Sequence, residues 1–472
     1  MSSIPGFTGH VIAPGDGEFE TARRVYNLQV DVRPALIAQC ATVADVQAVV
    51  RWAQEEGLPL AVRSAGNNYN GWSTSDGGVV VDLGSMRDVE IDAASRTARL
   101  GGGTRTGEVL TAASASELAP AIGVMSSTAV GLLLGGGFGH LRNRAGWSAD
   151  NIIGGDLVTA DGECIRVDTE TNPDLLWALR GAGANFGVVT SLDLRLHSMP
   201  RVIRTGTMLW GEDRLEEGMR FLRDFLGSAS EDLSVAGWLK LADDPDNPGA
   251  VSAETPPKAM RGRPCVEVTY CHWGAPEVAE VELAALRGEG RPDFESPGTT
   301  SYRDFHYRWE ASATRISWDA VSVSSFAEDA ITVLAATARA MTLDGTLRCV
   351  ELFDQRGALS REGELASAQP RALPTAWSVR PGAQASDPAF DDINRDWVQQ
   401  VMADVLATSV GIPDVCALNS ASTPVSAERI RTHYGAGLPK LIELKRTWDP
   451  ENVFRSNQNI DPSWALDEAV RA

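Results

Sequence analysis

The chain has 472 residues, 43% of them hydrophobic and 22% charged; the composition is that of a soluble globular protein, and the length calls for roughly two or three compact units rather than one core. Its 42 Lys and Arg stand against 63 Asp and Glu, a net charge of −21 with no basic run, which excludes a nucleic-acid partner. No apolar stretch reaches the roughly 20 residues that cross a bilayer and no basic-then-apolar segment opens the chain, so no membrane attachment and a cytoplasmic location are expected.

Taken in chain order, Val43, Val46, Val49, Val50, Trp52 and Ala53 recur at helical spacing and predict an amphipathic helix, followed by a short strand from Leu58 to Val62. Strands are expected at Gly78 to Leu83 and Thr97 to Gly101, then a helix over Gly107 to Ala115. From Asp156 to Leu196 the texture repeats as strand, turn, helix (N-P-D-L-L-W-A-L-R) and strand. After about His197 the composition changes. Period-2 strands such as Cys265 to Trp273 and Leu347 to Phe353 alternate with helices such as Pro276 to Arg287 and Ala327 to Met341, joined by Pro-, Asp- and Gly-rich segments around Asp243 to Pro257. A final helix, Leu438 to Thr447, stops at W-D-P. The expected class is α+β.

Two segments carry chemistry. In A-V-R-S-A-G-N-N-Y-N-G, Ala61 to Gly71, a strand runs into a small-residue loop whose backbone N–H groups suit a pyrophosphate. In S-S-T-A-V-G-L-L-L-G-G-G-F-G-H-L, Ser126 to Leu141, five glycines let the backbone approach a large planar ligand. Taken alone, either loop reads equally well as glycines serving turns and close packing. A Rossmann site is disfavoured: G-G-G-F-G does not fit G-x-G-x-x-G, and no acidic residue follows at the ribose-binding spacing. Six cysteines, at 40, 164, 265, 271, 349 and 416, form no C-x-x-C pair and suit free thiols; neither a disulfide framework nor a metal site is expected.

The order of the motifs decides between these readings. The two loops, Asp82-Leu83, Asp150-Asn151, V-T-A-D-G (Val158 to Gly162), Asn172 to Thr190 and, near the end, L-K-R-T-W-D-P-E-N-V-F-R-S-N-Q-N-I (Leu444 to Ile460) together resemble the vanillyl-alcohol-oxidase and berberine-bridge-enzyme family of flavoproteins. The resemblance implies a two-part, PCMH-type FAD-binding domain, residues 1–198 and 411–472, with a substrate domain on an antiparallel sheet inserted at 199–410. It also implies cofactor roles for Arg63, Ser64, Ala65, Gly66, Asn67 and Asn68 at the pyrophosphate. Ser126, Ser127, Gly131, Gly135, Gly136 and Gly137 would lie along the flavin, with Asn151, Val188, Asn419 and Asn457 as further cofactor contacts.

This sequence departs from the family in three places. Asn67 stands where many relatives carry the histidine bonded to flavin, and Val124 stands where doubly attached relatives carry a cysteine. Neither side chain has a nucleophilic atom, so FAD is expected to be held non-covalently. The relatives' Y-x-N reads A-L-N here, with Ala417 in place of the tyrosine. Candidates for the reacting groups are Tyr69 beside the first loop, Tyr270 and His272 on one face of the strand V-E-V-T-Y-C-H-W, and Tyr302 with His306 and Tyr307. The structural alternatives are a loop anchor for Tyr69, a half-buried tyrosine with a surface histidine at a strand end, and an amphipathic packing helix for Tyr302 to Trp309. His140, after the glycine loop, reads as packing or a hydrogen bond. The expected function is an FAD-dependent oxidoreductase taking hydride from a small organic substrate, with oxygen as a candidate acceptor and a role in bacterial natural-product biosynthesis. The alternative, prompted by the missing anchors and tyrosine, is a flavin-containing cyclase or isomerase without net redox turnover.

Overall fold

The computed structural model describes residues 3–244, 255–309, 312–408, 410–412 and 418–466. Three sheets organise it. In the first, Leu36–Gln39, Val79–Asp82 and Leu60–Arg63 run parallel and His10–Ile12 is antiparallel at the edge. Val79, Val80 and Val81 are all fully buried, as expected of a parallel strand covered on both faces. One cover is the helix Val43–Glu55, which turns Val46, Val49, Val50 and Ala53 onto the sheet. Its start is set by a capping box: Thr42 Oγ1 accepts from Asp45 N at 3.2 Å, and the Asp45 carboxylate accepts from Thr42 N at 3.0 Å and Thr8 N at 2.7 Å.

The second sheet is antiparallel, in the order Val89–Asp92, Thr97–Gly101, Val188–Ser198, Ile152–Val158, Cys164–Asp168, with Leu118–Pro120 on the far end of the long strand. Its core takes Leu175, Leu176 and Leu179 from the helix Pro173–Ala182. The C-terminal helices Ala427–Tyr434 and Leu438–Trp448 add Ile430, Tyr434, Leu438, Leu441 and Ile442.

The third sheet is the largest: Phe294–Thr300, Ile203–Gly211, Pro264–His272, Leu233–Leu241, Leu347–Asp354, Trp377–Ala385, Val321–Val323 and Gly411–Ile412, all antiparallel, with Arg315–Trp318 also paired to Trp377–Ala385. One face carries Val266, Val268, Val235, Leu239, Val350, Leu352 and Val379 into a core with the helices Leu215–Leu226, Pro276–Gly290, Glu328–Arg339 and Asp391–Thr408. Strand alternation sends the intervening residues the other way. The register Glu267↔Trp238↔Glu351↔Arg380 therefore forms one row across four strands on the opposite face. The fold is α+β with antiparallel sheets.

Candidate functional site

A cavity of about 260 Å³ lies where the three sheets meet, lined by Ser64 to Tyr69, by Gly123 to Met125, by Thr128 to Leu132, by Leu134 and Gly135, by Gly137 and Phe138, and by Phe454 and Ser456 to Gln458. The first wall begins at the end of the strand Leu60–Arg63. Gly66 takes φ of 77°, a left-handed conformation that opens the turn. None of the backbone amides of residues 64–68 donates a hydrogen bond to a described residue, which leaves a row of N–H groups of the kind that binds an anion. Ser64 Oγ donates to Gly102 O at 2.7 Å and Gly66 O accepts from Tyr26 N at 2.9 Å, so the loop is held from behind. Asn67 lines the cavity and meets Ser127 Oγ at 3.2 Å in either orientation of its amide, stapling the first loop to the second.

In the second wall, the short helix Val130–Leu134 places Gly131 on the cavity with nothing closer to a Cβ there than Ser64 Oγ at 3.9 Å. Gly135 faces Asn419: a Cβ would lie 2.4 Å from its Nδ2, which donates to Gly135 O at 2.7 Å. Gly137, at φ of 67°, also lines the cavity.

The third wall is the tail. Lys445, fully buried, donates to Asn185 O at 2.7 Å, Phe454 O at 2.9 Å and Asp449 at 2.7 Å. Asp449 in turn accepts from the backbone of Val453 and Phe454 at 2.7 and 2.9 Å. This buried pair sets the turn that carries Phe454, Ser456, Asn457 and Gln458 onto the cavity. Asn457 Nδ2 donates to Ala184 O at 2.7 Å, while its Oδ1, like Ser73 Oγ, is buried without a partner.

At one end the cavity meets the row on the large sheet. Tyr69 stacks on Tyr26 at 5.8 Å and tilts against Trp318 at 6.2 Å; burial pushes its phenol well above the ordinary value, with Tyr26 and Glu351 adding to the effect. Arg380 lines the cavity, donates to Ser420 Oγ at 2.6 Å, lies 3.0 Å from Glu351 Oε2 and packs over the rings of Phe138 and Phe353. Loss of water pushes the Glu351 carboxyl up to about 7, against the pull of Arg380. Sequence reasoning did not single out Glu351 or Arg380. The available signal was a charge inside the otherwise apolar strand C-V-E-L-F, at the alternate position to Val350 and Leu352.

Several expected site residues stand elsewhere. Tyr270 is on the helix-covered face with Met208, Trp210 and Leu286, its hydroxyl against Gly206, and burial raises its phenol against the pull of Arg287. His272 accepts from Gly274 N at its Nδ1, so its Nε2 donates to Glu282 at 2.9 Å, on the helix Pro276–Gly290. The alternation is as expected, but the face that Tyr270 shares with Val266 and Val268 is the one packed into the core under the helices. Tyr302 begins a packing helix, Tyr302–His306, edge-on to Trp273 at 4.7 Å, and is absent from the main cavity wall. His140 packs against Phe305 at 4.9 Å.

Arg63 turns back to Ala22 O at 2.6 Å and Ser73 O at 3.2 Å, bracing the loop rather than lining the cavity. Ser126 is buried behind the wall, where its carbonyl accepts from Gly107 N. Ser127 acts through Asn67. Gly136, at φ of 101°, seats Gln369, whose Oε1 a Cβ would approach to 2.5 Å. Asn151 bonds Ala145 O, Trp147 O and His197. Val188 is core of the first sheet, and its neighbours Gly187 and Val189 line the cavity. Cys416 and Ala417 lie outside the described residues.

Comparison with known proteins matches an FAD binding domain to residues 34–168 and a berberine and berberine-like domain to residues 417–461. The (R)-6-hydroxynicotine oxidase of Paenarthrobacter nicotinovorans is 32% identical, over 96% of this chain and 97% of that one. The crystal structure of 6-hydroxy-D-nicotine oxidase from Arthrobacter nicotinovorans superposes with a TM-score of 0.86 at 30% identity, covering 97% and 98% of the two chains. Glucooligosaccharide oxidase from Acremonium strictum shares the fold at 18% identity, with a TM-score of 0.82 over 97% and 98%. With a relative this similar along nearly the whole length of both chains, the protein belongs to the berberine-bridge type of FAD-linked oxidoreductases.

Proposed function

We propose that the chain is an oxidase that holds FAD without a covalent bond and receives hydride from a small organic donor bound against Tyr69 and Arg380. The observation that carries this reading is the cavity itself, whose one end offers a row of free amides and whose other end meets the Tyr69–Arg380–Glu351 group. FAD fits that lining. The amides of residues 64–68 suit its pyrophosphate, Gly131, Gly135 and Gly137 leave room for a flat ring system, and the orphaned Ser73 Oγ and Asn457 Oδ1 have hydrogen-bonding capacity left for it. Residues 1–198 and 411–472 act in this account as one cofactor unit, apart from Gly411–Ile412 on the edge of the large sheet, and 199–410 as the substrate unit.

When bound, FAD supplies a two-electron acceptor, and oxygen is the reoxidant that the relatives named oxidases support. The chain supplies the rest. Arg380 and the rings of Tyr69 and Phe138 orient the donor, and Glu351, beside Arg380 and ionised mainly above about 7, takes the donor's proton. No described helix is long and apolar enough to cross a membrane. A cytoplasmic setting and a role in bacterial small-molecule biosynthesis complete the proposal, the latter resting on Gly-, Ala- and Arg-rich usage.

The linkage has a direct test. One structural neighbour is described with a 6-S-cysteinyl, 8α-N1-histidyl FAD, whereas Asn67 and Val124 offer no nucleophile on the cavity wall. Acid precipitation of the yellow protein should leave flavin fluorescence in the supernatant. Colour retained by the washed precipitate would overturn the non-covalent assignment.

A further inference from the structure

The cavity wall contains a single charged side chain among the described residues, Arg380; every other lining residue is neutral. Its guanidinium is fixed in place by Ser420, by Glu351 and by the faces of Phe138 and Phe353, 5.3 and 5.6 Å from the ring centres. A guanidinium has five N–H donors in a rigid plane, and these partners leave some of them over. Nε is buried without a partner, and Glu351 Oε2, although 3.0 Å from Nη1, accepts no aligned hydrogen bond. Two rings, Phe138 and Tyr69, line the cavity beside Arg380, with Tyr26 and Trp318 behind Tyr69.

A cationic substrate would meet the Arg380 guanidinium here, because the neighbouring Glu351 carboxyl, 3.0 Å from Arg380, is not itself part of the wall. A flat ring bearing an anionic oxygen would satisfy both the unused donors and the aromatic walls. We propose that Arg380 determines specificity by binding a carboxylate or ionised hydroxyl on a planar aromatic substrate. The proposal rests on the FAD-oxidase reading and narrows it from small organic donors to aromatic anions.

Titration of the FAD-loaded protein with benzoate, benzamide and benzylamine, followed by the visible flavin spectrum, tests it. Benzoate should give a saturable spectral shift, with benzamide weaker and benzylamine without effect. Arg380→Gln should weaken benzoate binding by about tenfold or more, the range expected for a lost charge-assisted bond. Because Arg380→Gln strands the Glu351 carboxylate, the double variant Arg380→Gln/Glu351→Gln is measured as well and should lose benzoate equally. A yellow protein with no saturable benzoate shift, equal benzoate affinity in the Arg380 variants, or tighter binding of benzylamine would overturn the proposal. A protein that takes up no FAD would overturn the oxidase reading on which it stands.

Discussion

Replacement of Glu351 by glutamine is expected to lower turnover by about 10²–10⁴-fold, the usual worth of a positioned base, while FAD binding stays as in the parent. Glu351 sits on the cavity side of the strand Leu347–Asp354 beside Arg380, and burial lifts its carboxyl to about 7. Below that pH the ionised fraction able to take a proton falls about tenfold per unit. The parent's kcat/KM should therefore rise about tenfold per pH unit up to about 7 and level off above it, and Glu351→Gln should remove that limb. Linkage separates chemistry from folding here. A carboxyl whose folded pKa is raised binds its proton more tightly in the fold, so stability falls as pH rises from about 4.5 through about 7. The glutamine variant should then be at least as stable as the parent above pH 7. Full activity in Glu351→Gln, or an unchanged pH limb, would remove Glu351 from the mechanism.

The cofactor half was more legible in the sequence than the substrate half, for a physical reason. A loop that wraps a ligand with its backbone constrains residue type directly: Gly66 and Gly137 adopt left-handed φ, and Gly131 leaves the wall open. Such demands appear as motifs in chain order. Even there, Gly136 serves Gln369, and Arg63 and Asn151 serve neighbouring carbonyls, because a glycine or a polar side chain does not announce which neighbour it satisfies. On the large sheet, alternation reveals which residues share a face but not which layer that face meets. Tyr270 and His272 went to the helices, while Glu351 and Arg380, on separate strands, became neighbours only through the register.

Lys445→Met is expected to cost about 3–5 kcal/mol of local stability, the usual penalty for stranding a buried charge. Lys445 and Asp449 are both fully buried, and burial alone already pulls the Lys445 ammonium below its ordinary value against the attraction of Asp449. Without the lysine, Asp449 keeps only the amides of Val453 and Phe454, and the carbonyls of Asn185 and Phe454 lose their shared donor. The turn so released carries Phe454 to Gln458, one wall of the cavity. If about 3 kcal/mol of that loss falls on this wall, FAD affinity drops by roughly 100-fold. Equilibrium dialysis with FAD, alongside thermal melting of the apoprotein, reads the two effects. An unchanged dissociation constant in a folded variant would show that the buried pair does not position the wall.

Anaerobic single turnover distinguishes net oxidation of a donor at this cavity from redox-neutral chemistry. Any compound that the FAD-loaded protein converts should bleach the visible flavin absorbance in proportion to product formed, and admission of air should restore it. Product formed under the same conditions while the protein stays yellow would rule out net oxidation and favour a cyclase or isomerase.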